Sequence, residues 1–181
     1  MSEMADIIKY YGIYVRGASP YVIGDFLYNQ YIEILKEELR PAMGCTEPIA
    51  LAYAAAKARQ ILGCIPDKIR LFVSGNIIKN VKSVVVPNTG GLHGMAAALS
   101  AGIVAGDASK ELEVIAQVTP EQIAGMRTFL AATPIQVVHV DNGLTFEIGV
   151  ILYAGDSCAK VRIVNYHTNI VLIEKNGEVL L

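Results

Sequence analysis

The chain has no tryptophan and only three cysteines, at positions 45, 64 and 158. No two cysteines form a CxxC pair, so nothing in the spacing supports a self-contained zinc site. Charge is also scarce, at 18% of residues against the usual quarter. The formal net charge of -2 argues against a general nucleic-acid binder. Long apolar runs are missing too. Lys57, Arg59 and several glycines break the Ala-rich stretches before they reach membrane-spanning length. Neither a GxGxxG nor a GxxxxGK motif occurs, which leaves the usual dinucleotide and P-loop readings weak. No internal repeat and no low-complexity tract is present. The expected compartment is the cytoplasm, where unpaired thiols stay reduced.

What the chain does have is apolar material, 53% of its 181 residues. A chain of this length suits one domain, or one domain plus an arm. Residues 1–30 read as an N-terminal extension. They hold five of the nine tyrosines, at 10, 11, 14, 21 and 28, and are expected to pack through them. Residues 31–181 read as the main domain. So apolar a surface is expected to leave a patch for a second subunit or domain.

Periodicity predicts helices over 47–62 and 92–104, with shorter ones over 110–118 and 120–130. Gly63 is placed to end the first, and Thr119–Pro120 to start the last. Period-2 alternation predicts strands over 68–74, 81–86, 135–140, 145–153, 158–164 and 168–174. Asp141–Asn142–Gly143, Ala154–Gly155–Asp156 and Asn176–Gly177 read as hairpin turns. Helices grouped with a run of antiparallel strands give an α+β, two-layer domain with a largely antiparallel sheet.

Candidate site residues lie in the links. Cys45 sits in a Gly/Pro-bounded loop before the first long helix, with Thr46 as a candidate cap. The positive end of that helix favours thiolate, the form that attacks electrophiles or binds metal. A small buried packing residue is the competing reading. Glu47, two residues on, is a candidate base or a charge that caps the helix. The Gly-rich link from Pro87 to Gly94 offers Thr89, Gly90 and Gly91 as a cradle for an anion such as a carboxylate. A tight turn before a closely packed helix explains it equally well. Ser74, Asn76, Lys79 and Asn80 form a second polar turn that could hold a substrate or simply be solvated. His167 could bind substrate or shuttle a proton, or merely hydrogen-bond a turn. His139 carries no role, and His93 is weaker than His167.

The run Gly44-Cys45-Thr46-Glu47-Pro48 resembles the signature of the L-cysteine desulfidases, relatives of the iron–sulfur L-serine dehydratases. The resemblance continues through Val73–Asn80, Val86–Gly91 and His167–Val171, covering about residues 31–181. It implies the N-terminal part, or one subunit of a split form, of a lyase performing β-elimination on L-cysteine or L-serine. It further implies Cys45 as a ligand of a 4Fe–4S cluster, His167 and Glu47 as catalytic groups, and a small amino acid as substrate. The remaining cluster cysteines would come from a missing C-terminal half or partner subunit, and homo-oligomers are expected. This chain alone would then be incomplete, without an intact cluster. The alternative is a non-catalytic amino-acid-binding or assembly module on the same fold. Cysteine 45, both polar turns and His167 are expected to share one cleft.

Overall fold

A computed structural model describes residues 20–38 and 44–181. Of the expected N-terminal extension, residues 1–19 lie outside the described residues. The chain divides into two units, 1–40 and 41–181. In the first, helix α1 runs from Pro20 to Glu38. Proline suits a first helical position because its missing N–H would be unbonded there anyway. Phe26, Tyr28, Tyr31 and Ile34 are exposed on it.

The second unit opens with α2, Thr46–Leu62, ended by Gly63 in the left-handed conformation. Then come β1 (Lys68–Val73), α3 (Gly75–Val81), α4 (Gly94–Ala105), a 3-10 helix (Ala108–Glu113) and α5 (Pro120–Ala132). Five strands follow: β2 (Ile135–His139), β3 (Glu147–Ala154), β4 (Ser157–Val164), β5 (Ile170–Lys175) and β6 (Glu178–Val179). They form one sheet in the order β2-β1-β3-β4-β5-β6. Only the β1–β2 pair is parallel. The fold is therefore α+β, a mostly antiparallel six-stranded sheet packed against helices.

Helix α2 is the hub. Its residues from Pro48 to Ala56 are all buried, the mark of a helix covered on every side. It packs on β3 and β4 below and on α4 beside it. The core face of the sheet supplies Ile69, Leu71, Val73, Ile148, Val150, Leu152, Val161 and Ile163, all fully buried. The α2–α4 seam is close enough that a Cβ on Gly102 would fall 2.0 Å from the Ala52 carbonyl oxygen. α5 starts as its sequence suggests. The Thr119 hydroxyl accepts from the Gln122 N–H, and the Gln122 side chain accepts from the Thr119 N–H.

Four expectations fail. Residues 81–86 are not a strand. Val81 ends α3, and only Val85 bridges to His93. The β-branched run Val84–Val86 had the propensity but no strand to pair with, and tertiary context decides such cases. Ser74–Asn80 is not a turn but mostly α3, because Ile77 and Val81, one helical turn apart, both bury completely. Residues 110–118 hold no α-helix beyond the short 3-10 segment. Asp141–Asn142–Gly143 is not a hairpin, since β2 and β3 lie on opposite sides of β1. Three α-helices intervene between β1 and β2, and that crossover returns the chain parallel. Ala154–Asp156 and Asn176–Gly177 do join antiparallel neighbours. No helix among the described residues is long and apolar enough to cross a membrane.

Candidate functional site

The start of α2 gathers four polar side chains. Cys45 is the N-cap residue (φ -58°, ψ 120°) and exposed, and its side chain makes no capping hydrogen bond. Its thiol instead donates to Glu47 Oε2 at 3.1 Å. The Asn80 amide, near the end of α3, donates to Glu47 Oε1 at 3.1 Å. His167, in the β4–β5 connection, faces the same carboxylate electrostatically. Its ring packs edge-on against Phe146, with centroids 4.6 Å apart. The Nε2 atom of His167 is buried with no hydrogen-bond partner.

The electrostatics reverse the thiolate expectation. Burial pushes the Cys45 thiol up, and the hydrogen bond and charge of Glu47 push it further, while the nearby Glu47 N–H pulls the other way. The helix end is present, but a carboxylate in contact outweighs it. Glu47 moves oppositely. Burial is its largest single influence and raises it. Hydrogen bonds from Cys45, its own N–H and Asn80, with the charge of protonated His167, together hold it below the ordinary carboxylate value. Burial holds His167 below the ordinary imidazole value, partly offset by Glu47. Near neutral pH the cluster is a neutral thiol, a carboxylate, an amide and a neutral imidazole.

The other expected site residues stand apart from this contact set. The Ser74 hydroxyl donates to the Thr145 carbonyl and accepts from the Glu147 N–H, so both its roles are spent between strands. Asn76 and Lys79 are exposed on α3. The buried Thr89 hydroxyl closes its own turn on the carbonyls of Val86 and Leu92. Gly90 and Gly91 adopt positive φ of 66° and 86°. The Gly90 carbonyl accepts from Arg127 at 3.0 Å. The Gly-rich link lies beside the Cys45 loop, since a Cβ on Gly44 would meet Pro87 Cγ at 3.5 Å.

Three features escaped the sequence reading. Phe146 seats His167, yet nothing in its local pattern marks it. Arg127 reaches the Gly-rich link from α5 without belonging to any motif. Glu147 is 5% exposed and is held by Arg162 at 2.7 Å and Asn142 at 2.6 Å. That cluster is a satisfied structural knot joining β3, β4 and the loop before β3. A charged residue inside an apolar strand run was its one available signal.

The chain is 56% identical over 156 residues to the UPF0597 protein of Desulfitobacterium hafniense (strain Y51), covering 86% of this chain and 36% of the relative. It is 45% identical over 153 residues to the UPF0597 protein of Treponema denticola, and 48% identical over 153 residues to that of Finegoldia magna. These matches cover 84% of this chain and 36% and 37% of the two relatives. The chain is similar to UPF0597 proteins. It spans little more than a third of the length of these relatives. No protein-family model matches it, and no solved structure does.

These findings correct the resemblance drawn from sequence. The relatives carry the UPF0597 name, a family distinct from the cysteine desulfidases and serine dehydratases, and the name states no activity. The iron–sulfur lyase reading therefore falls, and the binding-or-assembly alternative gains no support. The metal expectation for Cys45 falls with it. Among the described residues, no group of three or more His, Cys, Asp or Glu side chains could hold a metal ion. The short Gly-Cys-Thr-Glu-Pro run misled because its residue types serve any helix start with a polar first turn.

Proposed function

We propose that the Cys45–Glu47–Asn80–His167 cluster is an acid–base site acting on a small molecule with a removable proton. Glu47 is the base, and the Cys45 thiol is the acid that returns the proton. One observation carries this reading. A thiol and a carboxylate in hydrogen-bond contact have their proton affinities pushed apart by the same surroundings. Paired groups with diverging affinities are how a site holds acid and base ready at one pH. Asn80 orients the carboxylate, and His167, whose buried Nε2 has no partner, stands against it. Cys45 is exposed, so the site is open to a ligand. A cytoplasmic location, a reducing compartment, fits this reading, because Cys45 and Cys64, both free and exposed, would stay thiols there.

The test is the pH profile of Cys45 alkylation by iodoacetamide, with Cys64 and Cys158 replaced by serine. Removing the Glu47 charge in Glu47→Gln should shift the profile to lower pH and speed alkylation at pH 8. A second arm follows deuterium incorporation by proton NMR into a panel of small carbonyl, hydroxy and amino acids in D2O. Exchange by the unmodified chain that is lost in Glu47→Gln supports the reading. Identical alkylation profiles and no exchange with any panel member would overturn it.

A further inference from the structure

A groove of about 400 Å³ lies between the Gly-rich link and the start of α5, outside the Cys45 cluster. Its size is within the range of small-molecule sites. Gly90, Gln117, Val118 and Ile123 are among the residues that line it. We propose that this groove binds a small aliphatic monocarboxylate, with Arg127 supplying the charge.

Four observations converge. First, the wall is apolar at Val118 and Ile123, which gives an aliphatic body a place to sit. Second, Gly90 keeps the wall thin. A Cβ there would come 3.1 Å from Ile123 Cγ2 and 3.7 Å from Arg127 Nη2, at a φ of +66° that already disfavours a side chain. Arg127 and Ile123 thus both stand against the same lining residue. Third, Arg127 is under-used. It donates one hydrogen bond, to the Gly90 carbonyl, out of five available N–H groups. No carboxylate lies within ion-pair reach of it among the described residues. Fourth, the N–H groups of Gly90, Gly91, Gln117 and Val118 have no partner among the described residues. Asn88 pins that strip in place by donating to the carbonyls of Ile115 and Ala116.

Charge also selects the guest. Glu121 lies in the first turn of α5, two residues past the groove-lining Thr119, and so places one negative charge near that lip. A monoanion tolerates this better than a dianion, so a carboxylate is favoured over a phosphate. The inference does not rest on the acid–base reading, and its readout is separate from Cys45.

The test uses the full 181-residue chain labelled with 15N. Isobutyrate and inorganic phosphate are titrated separately at low salt, and amide shifts are followed. Isobutyrate should saturate shifts at Gly90, Gly91, Gln117 and Val118. Arg127→Gln should weaken binding roughly tenfold, the loss expected for one charge-assisted hydrogen bond. Glu121→Gln should tighten isobutyrate binding and let phosphate in. Arg127 is exposed, and preserved spectral dispersion will show that its variant folds. Absent shifts, or shifts unchanged in Arg127→Gln, would overturn the proposal. Tighter binding of phosphate than of isobutyrate to the unmodified chain would overturn the choice of a monocarboxylate.

Discussion

Helix α2 is two different objects along its length. Its body, from Pro48 to Ala56, is buried everywhere and set by close approach to α4 and the sheet. Its first turn is partly exposed and set by hydrogen bonds among Cys45, Glu47 and Asn80. The body has almost no polar atom to place and almost no room to move. The first turn has room, and its geometry depends on a few directional contacts. Packing should therefore dominate stability in one region, and chemistry should be adjustable in the other at little cost to the fold.

The sharpest way to break that contrast is Gly102→Ala. An exposed helical glycine would gain roughly 1 kcal/mol from alanine. Here the new Cβ would lie 2.0 Å from the Ala52 carbonyl oxygen, so α2 and α4 must separate. The expected loss is about 3 kcal/mol or more, at the upper end of overpacking effects. Urea denaturation measures it, and a stabilised variant would show that the seam yields without cost.

Leu152→Ala probes the same region from the sheet side. Leu152 is fully buried on β3. Its truncation should cost about 2–5 kcal/mol, according to how far α2 settles into the space. A loss well below that range would mean that the sheet face, unlike the α2–α4 seam, can collapse around a cavity.

The body of α2 was legible in the sequence and its first turn only in part. An unbroken small-residue helix, a glycine stop at Gly63 and alternating strands from 135 onward each carry their own period. So the helix, the four C-terminal strands and the α+β class could be read directly. The pairing could not. The position of β1 between β2 and β3 depends on a crossover through three helices, and no local signal at Asp141–Gly143 marks it. Ile77 and Val81 bury on one helix face, while Val84–Val86 have a strand's composition without a partner strand, so α3 and the failed strand were exchanged. At the site, Cys45 and Glu47 are neighbours in sequence and stood out together. His167 stood out alone, and Asn80 only as part of a polar run. Their common dependence on Glu47 joins segments 33 and 120 residues away from it, and the thiol's raised proton affinity follows from that contact. Residue types alone pointed the other way.

A pH series sharpens the first-turn side. The folded pKa of His167 lies below its ordinary value of 6.5, with burial as the main cause. A depressed histidine contributes stability that is complete above the ordinary value and is lost as pH falls through the folded one. Glu47 is also depressed, so its contribution is lost in the same direction, below the carboxylate value of 4.5. The melting temperature should therefore drop as pH is lowered from 7 to 5, and His167→Leu should flatten that part of the curve. A flat profile in the unmodified chain would mean that His167 opens to solvent without penalty.

The smallest effect expected is that of Cys45→Ala on stability. Cys45 is exposed and caps no N–H of α2 with its side chain. Removing its sulfur ends one hydrogen bond, but Glu47 keeps the Asn80 amide, and no cavity forms in an exposed loop. The change should stay within about 0.5 kcal/mol, as for surface substitutions that touch no cap, cavity or buried pair. Cys45→Ser extends the argument. Serine is a strong N-cap, but Pro48 occupies the third helical position and has no N–H to offer, which leaves Glu47 as the acceptable donor. Serine should therefore gain at most a few tenths of a kcal/mol over alanine, below the usual capping benefit of about 1 kcal/mol. A full capping gain in a double comparison of Cys45→Ser and Cys45→Ala would show that the loop reshapes freely once the thiol–carboxylate bond is gone. In that case Glu47 holds the thiol, and the backbone around residue 45 does not.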